Sequence, residues 1–337
     1  MAAVGRAPES RRRTTDTGRF ATGSAPRAPR GNGRWWIALV VVLIVAGTLT
    51  GVGIWAVNKF GSLSNIFTAS GCTASSTAGS VSLDLEQAQN ASTIAAVGIQ
   101  QGVPVFGIEV AEATAMQESK LHNLGYGDRD SVGLFQQRPS QGWGTTTQIM
   151  DPVYSSTRFY QALVNVSGWQ SMTLTQAAQA VQKSGAPDAY AAHQADATVV
   201  AAVFTGTAAA GLGCTLDSPT FAAQSKSSGA LLNARAQSVL NTLRNQFGAA
   251  NVGPVSSISS DGLSFDVSAP SSLSGADATD RGWAYANWLA AQAEITGITH
   301  VQYADRSWSS TAGATGWATI SPTGAGATVH VTVTAGT

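Results

Sequence analysis

Glu118 closes an Ala-rich stretch that begins at Ala111, and the polar loop after it carries Asn123, Tyr126, Asp128, Arg129 and Asp130. Gly133-Leu134-Phe135-Gln136-Gln137 then starts a new element, and Pro139 follows. A carboxylate at a helix end beside a loop of aromatic and amide side chains suits glycosidic bond cleavage. That reaction needs a proton delivered to the leaving oxygen, and a carboxyl partly buried beside apolar groups can hold one near neutral pH. Met116 and the Ala-rich helix leave one side of Glu118 dry. Ordinary hydrolysis also uses a second carboxylate as base or nucleophile, and Asp128 and Asp130 are the candidates. Aspartates beside Gly and Arg equally make turn hydrogen bonds or an ion pair with Arg129, which would shape the loop instead. Tyr126, Trp143, Tyr154 and Tyr160 have rings suited to stacking on sugar faces, or to filling a core.

Other chemistries find little support. The four histidines, His122, His193, His300 and His330, have no metal-ligand spacing and no HExxH motif is present. Neither a phosphate loop nor a nucleophile elbow occurs, so neither a metal nor a cofactor is expected.

Glu118-Ser119, Gly133-Leu134-Phe135-Gln136 and Pro139 together resemble the Glu-Ser, Gly-Leu-Met-Gln, Pro signature of soluble-lytic-transglycosylase-type, lysozyme-like domains. The separations match too, fifteen positions from Glu118 to Gly133 and six more to Pro139. The resemblance covers roughly residues 84 to 200. It implies a lytic transglycosylase that breaks the MurNAc-GlcNAc β-1,4 bond of peptidoglycan. The same glutamate would act first as acid and then as base, taking the proton of the muramic acid 6-hydroxyl as a 1,6-anhydro ring closes. By the same resemblance Ser119 contacts Glu118 or substrate, and Gln136 supports the sugar site. Gln137 and Arg138 replace residues that are usually apolar, which changes the floor of the cleft; we include Gln137, Tyr126 and Tyr154 among the substrate-binding candidates. The family's downstream Tyr-Asn-Ala-Gly pattern is absent. The nearest stretch is Val181-Gln182-Lys183-Ser184, with Tyr190 a few residues on, and nothing after the competing carboxylates Glu109 and Glu112 fits the signature. Two alternatives stand beside this reading. One is a muramidase-type hydrolase using Asp128 or Asp130. The other is a non-catalytic wall-binding scaffold, in which Trp283 or Trp288 would matter more than Glu118.

The elements that must position these residues follow from the pattern of the chain. At 337 residues it has room for two or three domains. Net charge is zero, yet eight arginines against Glu9 and Asp16 precede residue 35, so the first 34 residues carry about +6 and the body about −6. That acidic body argues against nucleic-acid binding. Residues 1–34 read as a disordered basic cytoplasmic tail. Trp35–Val57 has no charge over 23 positions and aromatic residues near both ends, as a transmembrane helix would. The expectation is a single-pass membrane protein with its C-terminal domains outside the cell. Residues 58–80 read as a stalk, 81–214 as an all-α lysozyme-like domain without a convincing strand, 215–229 as a linker and 230–337 as a small α+β domain. The fold class expected is therefore mainly α. Cys72 and Cys214 bracket the catalytic part, and in an oxidising compartment a disulfide is the better reading. Arg281-Gly282-Trp283 and Trp317 with the VHVTV run resemble C-terminal modules of actinobacterial-type wall proteins, a resemblance that implies no activity; a protein partner in an envelope complex is a separate expectation for residues 230–337.

Overall fold

The computed structural model describes residues 70–336 apart from 218, 226, 228–230 and 322–327. The expected tail, the expected span Trp35–Val57 and residues 58–69 of the expected stalk lie outside the described residues.

Where the remainder of the stalk was expected, the chain forms strands β1 (Gly71–Ser76) and β2 (Gly79–Leu83). They join β3 (Leu212–Thr215) in an antiparallel sheet of order β2-β1-β3. Cys72 lies opposite Cys214 in the register, and the two form a disulfide. The bond closes a sequence separation of 142 residues, for which the chain-entropy account gives stabilisation of about 4–5 kcal/mol.

Between these strands run the helices. α1 (Leu85–Gln100) starts at an Asp84 N-cap in a full capping box with Gln87, and α2 (Val105–Ser119) starts after Pro104. The short α3 (Thr146–Ile149), then α4 (Pro152–Val164), α5 (Leu174–Gln182) and α6 (Gln194–Thr205) complete this half. Ile94, Ile108, Phe135, Phe159, Tyr160 and Phe204 form its buried centre.

The second half comprises α7 (Ala234–Phe247), β4 (Val255–Ser256), β5 (Ser264–Ser268), α8 (Gly275–Ala291), α9 (Ala293–Thr296), β6 (Ile298–Tyr303), β7 (Arg306–Ser309), β8 (Ala318–Thr319) and β9 (Thr328–Val333). The antiparallel sheet has the order β4-β5-β9-β6-β7-β8. Phe265, Val267, Val301, Val329 and Val331 alternate onto its buried face, as period-2 patterning requires. Trp283 packs edge-on against Tyr303, and Trp288 donates to Gln246 Oε1 at 2.7 Å. Both tryptophans are buried, so neither is displayed to a partner.

The two halves share one compact unit that spans residues 68–337. Asn287 Nδ2 donates to Val203 O at 2.8 Å, and Gln292 Nε2 donates to Ser92 Oγ at 2.9 Å, with both side chains buried. Gly206 (φ +87°) lets the end of α6 approach α8, because a Cβ there would meet Asp280 O at 1.8 Å. Residues 215–229 thus join two halves of a single body.

Two expectations need correction. The fold is mixed α/β with two antiparallel sheets rather than mainly α with an all-α lysozyme-like domain. The sequences GCTASS, GSVSL and LGCT carry few large apolar residues, so their strand character comes from a local β1–β2 hairpin completed by the distant β3 and not from a hydrophobic alternation. The single-pass membrane localisation is also not upheld. Among the described residues no helix is long and apolar enough to cross a membrane. α8, at 17 residues, would reach only about 25 Å and carries Asp277, Asp280 and Arg281.

Candidate active site

Glu118 sits in the last turn of α2, half-buried, and the helix end that carries it is held from several sides. Lys120 and Leu121 both adopt left-handed backbone (φ 55° and 61°), so the helix stops in a Schellman-type turn with Leu121 N donating to Ala115 O at 3.1 Å. Non-glycine residues tolerate that conformation only when their surroundings over-determine it. Here Gln87 Nε2 donates to Lys120 O at 2.9 Å and buried Asn90 Nδ2 donates to Leu121 O at 2.7 Å. His122 Nε2 lies 2.9 Å from Asp84 Oδ2, the N-cap of α1. The carboxylate-bearing turn is therefore fixed to the start of α1.

The loop that follows is fastened to the same turn. Ser119 Oγ donates to Ala115 O at 3.0 Å and across the loop to Leu134 O at 2.7 Å, which brings the Glu-Ser pair onto the Gly-Leu-Phe-Gln segment. Gly133 has φ +79°, and a Cβ there would meet Ile149 O at 2.8 Å, so this position needs glycine twice over. Val132 and Gln137 pair as a two-bond bridge at 3.0 and 3.1 Å.

Tyr190 supplies the closest partner of Glu118, its hydroxyl donating to Glu118 Oε1 at 2.7 Å from a residue 72 positions away. It stands on a 3-10 turn, Ala189–His193, just before α6. Burial, and then Glu118 beside it, push the Tyr190 phenol well above its ordinary range, so it stays a donor at neutral pH. Next to it His193 Nε2 lies 3.0 Å from Gln117 Oε1. From α5, Gln182 Nε2 donates to Phe135 O at 2.8 Å.

The structure distributes the sequence-predicted residues unevenly. Ser119 is buried and acts through Leu134 rather than facing outward. Gln136 (φ 47°) turns its amide back onto Tyr126 O, Gly133 O and Ser131 Oγ, bracing the loop. Gln137 is buried and donates to Ser155 O on α4 at 3.1 Å. Tyr126 projects from the loop, 74% exposed, while Tyr154 is half-buried with its hydroxyl donating to Trp143 O at 3.1 Å. Tyr160 is wholly buried and donates to Ile94 O. Asp128 is exposed beside Arg129 at 3.8 Å. Asp130 is clasped by Arg138 Nε at 2.8 Å and by Ser140, which hold its carboxyl well below the usual range. Both of its oxygens thus already accept hydrogen bonds.

A cleft of about 610 Å³ opens beside this assembly, walled by Trp143, Arg158, Gln161, Asn165, Gln182 and Lys183 among others. Glu118 is not one of its walls. Gln182 links them, because it lines the cleft while holding Phe135 O, the neighbour of the carbonyl that Ser119 holds. Sequence reasoning missed Tyr190, Gln182 and Arg158 as site residues; the one available pointer was the stretch from Val181 to Tyr190, where the family pattern breaks down.

Residues 228–331, essentially the second half, match the family model described as VldE, C-terminal domain. A search of curated proteins returned no match to the chain. The similarity lies outside the Glu118 region and assigns nothing to it.

Proposed function

We propose that the protein is a lytic transglycosylase that cleaves the MurNAc-GlcNAc β-1,4 bond of peptidoglycan. The observation that carries this reading is the carboxyl of Glu118 held on a doubly left-handed helix end, bonded to Tyr190 at 2.7 Å and joined through Ser119 to the Gly133–Gln136 turn. It rests also on the resemblance of Glu118-Ser119, Gly133-Leu134-Phe135-Gln136 and Pro139 to the lytic transglycosylase signature.

In this scheme Tyr190 occupies Oε1, so Oε2 is the oxygen that carries the proton to the glycosidic oxygen as the C1–O bond breaks. The substrate's acetamido group stabilises the positive C1. The Glu118 carboxylate then accepts the proton of the muramic acid 6-hydroxyl, whose oxygen bonds to C1 and closes the 1,6-anhydro ring. No second carboxylate takes part, in keeping with the engagement of Asp130 by Arg138 and Ser140.

The test is mass spectrometry of the soluble products released from insoluble peptidoglycan by the purified protein and by its Glu118→Gln variant. Anhydro-ended muropeptides from the parent alone support the proposal. Reducing-end products would move the assignment to a muramidase-type hydrolase using Asp128 or Asp130, and sedimentation with the wall without release would favour a binding scaffold.

A further inference from the structure

The cleft between Trp143, Arg158 and Lys183 has an unbalanced charge. Its walls carry two cations, Arg158 and Lys183, and no carboxylate. Among the described residues neither makes an ion pair. Arg158 stands on α4 and reaches only neutral acceptors, Gln161 Oε1 and Gly142 O, both at a long 3.3 Å. Its Nε is buried and has no partner among the described residues. A guanidinium has five donors in a planar fork, and its terminal nitrogens, engaged here by only two long bonds, retain donors for a ligand in the cleft. Lys183 faces it from the end of α5, exposed, in the left-handed conformation (φ 52°) that turns the chain out of the helix. Trp143, Ala162 and Val181 supply an apolar wall.

We infer that this cleft binds an oxyanion carried by the wall polymer, with Arg158 and Lys183 as its counter-charges. Oxyanions match the guanidinium fork in shape and charge, whereas a neutral sugar ring would leave both cations without a counter-ion. The inference deepens the proposed function and rests on it for the choice of polymer. Two sources present that chemistry: a carboxylate of the muramic acid lactyl group or its peptide, and a phosphate of an attached anionic polymer. Since Gln182 joins the cleft to the Gly133–Gln136 turn, which Ser119 ties to the helix end bearing Glu118, such an anchor would set the register of the strand relative to the scissile bond.

Binding is measured by sedimentation with the full chain bearing Glu118→Gln, so that turnover does not intervene. Three wall preparations serve as probes: native wall, wall whose carboxylates are converted to methylamides, and wall stripped of phosphate polymers by hydrogen fluoride. Adding Arg158→Gln or Lys183→Gln is expected to weaken binding to native wall by about tenfold, the worth of one charge-assisted contact. Loss of the parent's binding on the amidated wall assigns the carboxylate, and loss on the stripped wall assigns the phosphate. Equal binding of parent and both variants to native wall, or parent binding unchanged on both treated walls, overturns the inference, as does a parent that does not bind native wall. Lys183 is exposed, so its variant reports even if replacing Arg158 unfolds the protein. Because the assay requires no cleavage, it can succeed where the product test fails, and the two outcomes separate the oxyanion site from the transglycosylase reading.

Discussion

Glu112 and Glu118 lie six residues apart on one helix, and their surroundings could hardly differ more. Glu112, in the middle of α2, is fully buried, and among the described residues neither of its carboxylate oxygens has a hydrogen-bond partner. Desolvation raises its pKa well above the ordinary glutamate value of 4.5, so burial favours its protonated form over the carboxylate. Burial first, and then Glu112, also push up the phenol of Tyr160. Glu118, at the helix end, is half-buried and meets a tyrosine hydroxyl aimed at one of its oxygens. The largest electrostatic perturbation on the helix therefore falls on the carboxyl with no access to a substrate. Perturbed titration marks a functional site only when a surface and an oriented partner accompany it.

The comparison breaks most directly at the carboxyl groups themselves. Glu118→Gln is expected to lower wall-cleaving activity roughly a thousandfold or more while leaving the denaturant midpoint nearly unchanged, the loss expected of a positioned acid. The reverse pattern, with Glu112→Gln inactive and Glu118→Gln active, would exchange the two roles.

The pH dependence of stability gives the next effect. The folded protein binds a proton at Glu112 that the unfolded chain releases near pH 4.5, so this contribution is complete below that pH and is lost as pH rises through the higher folded value. Between those limits stability should fall by up to about 1.4 kcal/mol per pH unit from this group. Urea midpoints of the parent and of Glu112→Gln, taken from pH 5 to pH 8, should converge at the acid end and separate with the variant above the parent at the alkaline end. A constant difference across the range would mean that Glu112 does not titrate in the fold.

A smaller effect sharpens the role of the oriented partner. Tyr190→Phe removes one hydrogen bond to Glu118 and should reduce activity by about tenfold, with the pH profile of cleavage displaced and the fold intact by circular dichroism. An unshifted profile with full activity would leave Tyr190 as packing only. The smallest expected change is at Gln292→Ala, where loss of the buried bond to Ser92 should cost about 1 kcal/mol in the urea midpoint and leave the wall products unchanged.

Much of this was legible before any coordinates. Asp84 with Gln87 and Thr173 with Gln176 are capping boxes whose spacing alone marks helix starts, because each partner lies within one turn. The alternation of Thr328 to Val333 placed β9, and the spacing of Cys72 and Cys214 on either side of the helices suggested their bond. Gln136 and Gln137 show what residue type leaves open. Their amides looked available to a sugar, yet one folds back on its own loop and the other is buried against α4, because a glutamine's type does not reveal which way its backbone points. The strands β1 to β3 stayed hidden because small polar residues have little intrinsic preference for a sheet, and β3, the second partner of β1, lies beyond the six helices of the first half.

By itself, then, the sequence determined the local starts and stops of helices, the alternation of the second sheet and the presence of a candidate acid at a helix end, since each depends on residues within a few positions of one another. Tertiary structure alone decided which carboxyl is dry and which is partnered, that Tyr190 faces Glu118, that Arg158 stands without a counter-ion in a cleft, and that two apparent domains form one body. Burial and partnership are properties of what distant chain brings alongside a residue, and a side chain's solvation is settled only when that chain has arrived.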